Sequence, residues 1–184
     1  MDVKVKNTGG RWRNCWIVLQ ILALVSLCAD KRYLTWGAWI ESYYPLLEKI
    51  GSLPQVLDAV YAYFMLAPLF VCGLLWYLTR GVVLGDLIES NYRGGVVGKF
   101  DYLLKHLFFV FPVSVFLGWA LWFGLGVRER LGLVGKGWLV QMIYINEYVF
   151  VVLAPLIVLL AAACIMNWLA VVAMLNKWIF ARRK

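Results

Sequence analysis

Residues that commonly carry out chemistry are sparse in this sequence and do not cluster. His106 is the only histidine among 184 residues, which excludes any metal or redox site built from several histidines. No Cys-x-x-Cys pair occurs, and we expect the four cysteines to be buried, reduced and structural: Cys15, Cys28, Cys72 and Cys164. Because neither a Ser/His pair nor clustered acidic residues accompany them, the sequence predicts a protein that is not an enzyme and uses no metal or cofactor.

The few polar residues within apolar segments predict helix packing rather than catalysis. Gln20, Ser114 and Asn167 can form hydrogen bonds between helices, which is how uncharged polar groups are used inside a membrane. Ser114 and Gly118 are also small residues four positions apart, a spacing that permits close approach of two helices. His106 lies at the end of an apolar segment, where we expect an interfacial position rather than proton transfer.

Four long apolar segments, each bordered by charge, must position these residues. The segments are Trp12–Ala29, Ala59–Leu78, Leu107–Val127 and Tyr148–Val172. Roughly 20 apolar residues in a helix cross a hydrocarbon core of ~30 Å, and backbone in lipid must form its hydrogen bonds internally. The chain is 64% hydrophobic with a mean hydropathy of +0.78. These features predict an all-α, polytopic four-helix bundle that forms one integral membrane domain over residues 1–184.

The placement of basic residues predicts the orientation of this bundle. Of the 18 Lys and Arg residues, twelve lie before or at the start of the first segment, in the second loop and in the C-terminal tail, whereas six lie in the first and third loops. Because cytoplasmic loops carry an excess of Lys and Arg, both termini are predicted to be cytoplasmic. The basic residues border apolar segments and no nucleic-acid-binding motif occurs, so the net charge of +8 does not indicate a nucleic-acid partner.

The first apolar segment has an alternative interpretation as a secretory signal, since a basic stretch precedes it. The sequence Ser26-Leu27-Cys28-Ala29 contains no convincing cleavage site. We therefore expect a retained anchor, with Trp12 and Trp16 at the membrane interface.

The first loop is rich in aromatic residues. Its apolar positions recur at alternating steps of four and three, which predicts one amphipathic helix ending at Gly51: Trp36, Ile40, Tyr43, Leu47 and Ile50. Such a helix would lie along the outer membrane surface. It could serve only as a membrane-anchored connector, or it could form a docking surface for a partner arriving in the outer leaflet.

A family resemblance begins within this loop and extends through the second apolar segment. Two prolines, Pro45 and Pro54, precede Tyr63 and the pair Ala67-Pro68, and the segment closes with Leu78-Thr79-Arg80. This stretch, Pro45–Arg80, resembles the immunity proteins that protect bacteria against pore-forming colicins of the A, B and N type. The chain also resembles them in length, four spans and cytoplasmic termini. It differs at Met65-Leu66, where the family has Lys-Thr, and in a third loop that is not threonine-rich.

The resemblance implies a multi-pass protein of the bacterial inner membrane that binds the helical pore-forming domain of a bacteriocin. The departures imply a toxin different from those of the known members. We predict that partner contacts are made by Trp36, Trp39, Tyr43 and Tyr44 in the first loop and by Tyr63 and Pro68 in the second apolar segment. The alternative function is a small structural subunit of a conjugation, secretion or other envelope complex.

Overall fold

The computed structural model of the chain describes residues 8–30, 34, 37–80, 100–101, 103–123 and 138–181. Every regular element among these residues is helical, as the all-α prediction requires. A π-helical turn, His106–Val110, leads directly into the fifth of the described α-helices. In chain order these α-helices are α1 Thr8–Ser26, α2 Gly37–Glu41, α3 Pro45–Gly51, α4 Asp58–Thr79, α5 Phe111–Phe123, α6 Trp138–Ile145 and α7 Glu147–Ala181.

Helices α1, α4 and α7 pack against one another as the centre of the bundle. Near the start of α4, the ring of Tyr63 lies 5.6 Å from that of Phe150, near the start of α7. The two helices therefore begin at the same end, which we call the aromatic end. At the opposite end, called the basic end, Arg11 near the start of α1 donates to the carbonyl of Arg80 just after α4. Helix α1 therefore runs antiparallel to α4.

Helix α5 packs on the side of this centre and also runs antiparallel to α7. Near its start, Ser114 accepts a hydrogen bond from the indole of Trp168, in the second half of α7. Near its end, Trp122 lies 5.2 Å from the ring of Tyr44, just before α3. The long helices α1, α4, α5 and α7 thus alternate in direction along the chain.

Two of the described helices are long and apolar enough to cross a membrane. They are Asp58–Thr79, with a mean hydropathy of 1.9, and Glu147–Asn176, with a mean hydropathy of 3.0. The apolar helix Leu103–Trp119 is shorter. Helix α1 is not among them because Arg11, Arg13 and Asn14 occupy its first half. Each of the four predicted spans overlaps a described helix, although α1 ends at Ser26 and the third span runs beyond the described residues after Phe123. Only two of the described helices are long and apolar enough to cross a membrane.

Three prolines occur in the long apolar helices, two in helix interiors and one near a helix start. Pro68 and Pro155 lie inside α4 and α7. Pro112, the second residue of α5, follows the π-helical turn, in which the N–H of Phe111 donates to the carbonyl of His106 five residues earlier. A proline ring clashes with the carbonyl four residues before it, and a widened turn relieves that clash.

The single amphipathic helix predicted for the first loop is wrong. The chain forms α2 and α3 instead, separated by a turn at Ser42–Tyr44, because Pro45 fits the first position of a helix but not its interior. The predicted end of the helix at Gly51 is confirmed. Trp36, the loop residues 81–99 and 124–137 and the basic residues 182–184 lie outside the described residues.

The prediction that all four cysteines are buried is also wrong. Cys15 is buried against the centre of the bundle and Cys164 is half-buried, whereas Cys28 and Cys72 are exposed. Cys72 lies in the second half of α4, and Cys28 lies in the turn after α1. All four are free thiols.

Candidate partner-binding surface

Trp39 and Tyr43 form an exposed aromatic pair at the aromatic end. Their rings pack edge to face with centroids 5.5 Å apart, and the side chains are 71% and 65% exposed. The turn between them is held locally, because the Ser42 hydroxyl donates to the carbonyl of Trp39 and the N–H of Tyr43 donates to that of Ile40. Exposed Trp and Tyr side chains with fixed geometry are typical anchors of protein interfaces.

Tyr44 lies next to this pair in sequence but points into the protein. Its ring packs on Trp122 of α5, and the three apolar residues that follow on α3 are buried in the same core: Leu46, Leu47 and Ile50. Burial, with a smaller contribution from Tyr144, raises the pKa of Tyr44. The predicted partner contact of Tyr44 is therefore revised: this residue attaches the loop to the bundle and is covered by the chain itself.

Glu41, the last residue of α2, connects the aromatic pair to the bundle at a second point. Its side chain hydrogen-bonds with Tyr61 of α4. It also lies against Gly51 so closely that a Cβ at that position would be 2.6 Å from Glu41 Oε1. A Cβ at Gly51 would therefore require the end of the Glu41 side chain to move, and Glu41 connects α2 to α3 and α4 at the residue between Trp39 and Tyr43.

A cavity of about 380 Å³ opens beside this attachment. Gly51 and Tyr61 border it, so it lies next to α2. Its other lining residues are Ile50, Ser52, Leu53, Pro54, Val56, Leu57 and Asp58. The cavity is large enough for a partner side chain and carries one carboxylate, and the aromatic pair and the cavity together form the candidate surface.

Tyr63, also predicted to contact the partner, lies in the centre of the core. Its side chain is 0% exposed, and its ring is surrounded by Phe64, Phe70 and Phe150 at centroid distances of 5.9, 5.4 and 5.6 Å. Its hydroxyl makes no hydrogen bond to any described residue. Direct contact with a partner is thus prevented by the packing of α4 against α7, and the role of Tyr63 is revised to that of a core residue.

The remaining predicted residues occupy different parts of the bundle. Pro68 is exposed on α4, whereas Gln20 and Asn167 are half-buried on α1 and α7. Ser114 links α5 to α7: it accepts from Trp168 Nε1 at 3.1 Å and donates to the carbonyl of Val110 at 2.7 Å. His106 is buried within the bundle, with its ring 6.5 Å from that of Trp168.

The close helix approach predicted at Gly118 does not occur in the described part of the chain. A Cβ added there would meet nothing within 4 Å. Helix α5 touches α7 through Ser114 and leaves Gly118 exposed, so the small-residue spacing does not bring two described helices together.

Several residues of the site were not found from the sequence. Trp122 and Glu41 position the aromatic pair through long-range contacts that periodicity does not report. Tyr148, exposed at the start of α7, lies at the same end of the bundle. The start of α7 could have been predicted from Asn146, because asparagine is a favoured capping residue. Its Oδ1 accepts a hydrogen bond from the N–H of Val149 at 3.1 Å.

Among the described residues, no group of three or more His, Cys, Asp or Glu side chains is placed to hold a metal ion. Comparisons of the chain with known protein families, curated proteins and solved structures found no match. The surface is defined by its aromatic pair, the adjacent cavity and the contacts that hold them in place.

Proposed function

We propose that this chain is an immunity protein of the bacterial inner membrane that binds the helical domain of a pore-forming bacteriocin. The observation that carries the proposal is the exposed Trp39–Tyr43 pair. It stands directly before the stretch Pro45–Arg80, which resembles the colicin immunity family. Fixed aromatic anchors at the end of a membrane bundle suit recognition of a toxin that enters from outside.

Insertion of the whole bundle in a membrane is part of the proposal. Insertion is supported by the apolar surface that the helices leave exposed. In the most apolar part of α7, only 28% is buried within the protein. Large apolar side chains also remain exposed along α1, the π-helical turn and α5, among them Ile21, Val25, Phe109 and Phe116. Monomeric soluble proteins rarely leave so many large apolar side chains exposed together, and such a surface suits contact with lipid.

The mechanism requires differential binding and no catalysis. A pore-forming domain inserts a helical hairpin and then rearranges to open, and a protein that binds the closed arrangement more tightly shifts the population toward it. Trp39 and Tyr43 would anchor the toxin at the membrane surface. The cavity beside Gly51 would take one of its side chains, with Asp58 favouring a cationic or hydrogen-bond-donating group.

Protection of living cells tests this proposal. Bacteria expressing the chain would be challenged with a panel of pore-forming bacteriocins that includes any toxin encoded beside its gene, and survival would be compared with that of cells lacking the chain. We expect protection against at least one toxin. The double variant Trp39→Ala/Tyr43→Ala should lose it, because truncation of an interface anchor costs ~2 kcal/mol or more, roughly thirtyfold in affinity.

The matched control is Trp76→Ala. Trp76 is 64% exposed, close to the value for Trp39, but it lies at the basic end. Membrane abundance of all variants would be measured by immunoblot. Sensitivity of well-expressing cells to every toxin in the panel would contradict the proposed function, and full protection by the double variant would contradict the assigned surface.

Reporter fusions test the proposed orientation. Fusions after Gly51 and Gly135 should report an extracytoplasmic location, whereas fusions after Gly95 and at Lys184 should report the cytoplasm. An extracytoplasmic signal at Gly95 would exclude four spans with cytoplasmic termini.

A second candidate function is a structural subunit of a conjugation, secretion or other envelope complex. The apolar surface of α5 and its π-helical turn favours it, since Phe108, Phe109 and Trp119 are all exposed and could pack on helices of another subunit. Purification in mild detergent distinguishes the two functions. Stoichiometric recovery of several membrane partners in the absence of toxin would favour the structural subunit.

A further inference from the structure

We propose that the groove between α1 and α4 at the basic end binds an anionic phospholipid. The inference requires the bundle to lie in a bilayer, but it does not depend on which toxin, if any, the protein recognises. Two features define the site: a cluster of arginines at its mouth and an apolar groove along its length. Together they match a ligand with a negative headgroup and an acyl chain.

The mouth of the groove is organised by Arg11. Its Nη1 donates to the carbonyls of Arg80 at 2.7 Å and Leu78 at 3.4 Å, which fixes the guanidinium over the end of α4. The same guanidinium lies 5.9 Å from the centroid of the Tyr77 ring. A guanidinium carries five N–H donors in a planar fork that suits phosphate oxygens, and one nitrogen makes both bonds to the backbone.

Further polar groups adjoin this guanidinium. Asn14 Nδ2 donates to the Tyr77 hydroxyl at 3.5 Å, on the ring that the Arg11 guanidinium faces. Arg13, which is exposed, lies in the same turn of α1. The Arg80 side chain lies over the Trp76 ring at 5.3 Å, which keeps a second guanidinium beside the end of α4. The cluster is cationic and lies at the level where α1 changes from polar to apolar residues.

The groove continues from this cluster between the two helices. Its volume is about 450 Å³, and it is lined by Asn14, Cys15, Ile17, Val18 and Tyr77. Only Asn14 and the Tyr77 hydroxyl are polar, and both lie at the mouth; Ile17 and Val18 are about half exposed. Free phosphate would use only the arginines, whereas a phospholipid also covers the apolar lining. Basic pockets between membrane helices are a known mode of binding acidic lipid headgroups.

Native mass spectrometry of the full chain in neutral detergent tests the proposal. The protein would be titrated with phosphatidylglycerol or with phosphatidylcholine that carries the same acyl chains. We expect about tenfold or greater preference for phosphatidylglycerol. The variant Arg13→Gln/Arg80→Gln should weaken that binding by about fivefold per charge removed. Arg11 is left intact because its bonds to α4 contribute to the fold.

A second variant tests the groove without changing charge. Val18→Trp places an indole in the exposed apolar groove and should reduce binding of phosphatidylglycerol at least tenfold. The control Lys49→Gln removes one exposed positive charge at the aromatic end and should leave the preference unchanged. Equal binding of both lipids would overturn the proposal. So would retention of wild-type binding by both variants, or full displacement of the lipid by an equal concentration of inorganic phosphate.

No toxin is present in this measurement. The lipid site therefore stands or falls on the binding data alone, and the proposed immunity function on the survival of challenged cells.

Discussion

Substitutions of Tyr63 distinguish most sharply between a role in the core and a role in recognising a partner. Its ring fills the space between three phenylalanines, and its hydroxyl is buried without a hydrogen bond to any described residue. A buried hydroxyl without a partner costs about 1–3 kcal/mol in the folded state. Tyr63→Phe retains the ring contacts and removes this cost, so we expect it to raise the free energy of unfolding by about 1 kcal/mol. Tyr63→Ala leaves a cavity and should lower it by about 3–5 kcal/mol.

Denaturant titration of the purified protein in detergent, followed by tryptophan fluorescence, would measure both changes. Membrane abundance would be determined in parallel by immunoblot, because a loss of 3–5 kcal/mol removes much of the stability of a small domain. Cells with Tyr63→Phe should remain protected, whereas those with Tyr63→Ala should contain less protein. A Tyr63→Ala protein with wild-type stability and abundance but no protection would refute this reasoning and restore a recognition role. A Tyr63→Phe protein less stable by 1 kcal/mol or more would show that the hydroxyl has a partner.

Three further predictions concern the contacts that hold the bundle together. Ser114→Ala and Trp168→Phe each remove the hydrogen bond between α5 and α7. A double-mutant cycle in detergent should give a coupling free energy of about 0.6 kcal/mol, the usual size for hydrogen bonds between membrane helices. A coupling of zero would contradict the bond. Gly51→Ala places a Cβ against Glu41 and should disturb the aromatic pair, which should reduce protection by several-fold. Gly51→Ala combined with Glu41→Ala should reduce protection no more than Glu41→Ala alone. Burial raises the pKa of Tyr144 to about 12, above the value of about 10 in an unfolded chain. The contribution of the neutral Tyr144 hydroxyl to stability is therefore complete below about pH 10 and is lost as the pH rises through 12. Unfolding midpoints measured across this range should fall more steeply for the wild type than for Tyr144→Phe, and parallel slopes would contradict the assignment.

The positions of the long helices were largely predictable from the sequence. The second apolar segment, Ala59–Leu78, lies within one residue of α4 at both ends, because an uninterrupted apolar run has few alternatives to a helix. The last segment was predicted to end at Val172, but α7 continues to Ala181. Charge after an apolar run marks the end of a membrane segment, while the helix itself continues through residues of good helix propensity.

The site was less predictable because it depends on which residues the bundle covers. Regular spacing indicated one helical face in the first loop, yet Pro45 divides the loop and leaves Tyr43 exposed while Tyr44 is buried. The sequence identified Tyr63 as a distinctive residue, but its burial results from α7, almost 90 residues further along the chain. Local patterns report periodicity and breaks, and they do not report which partner helix covers a given face.

The π-helical turn His106–Val110 has a consequence for insertions and deletions. A π-helical turn is equivalent to one extra residue in an α-helix, and each residue rotates the helix by about 100°. On the early side of the turn, Leu103 packs against the buried cluster formed by Ala170, Val171 and Met174 of α7. On the later side, Ser114 bonds to Trp168. Loss of one residue between these contacts would restore a regular helix and rotate one contact away from α7 while the other stayed in place. The length of this short segment is therefore constrained more strictly than its composition, and variation here should occur by substitution rather than by change in length.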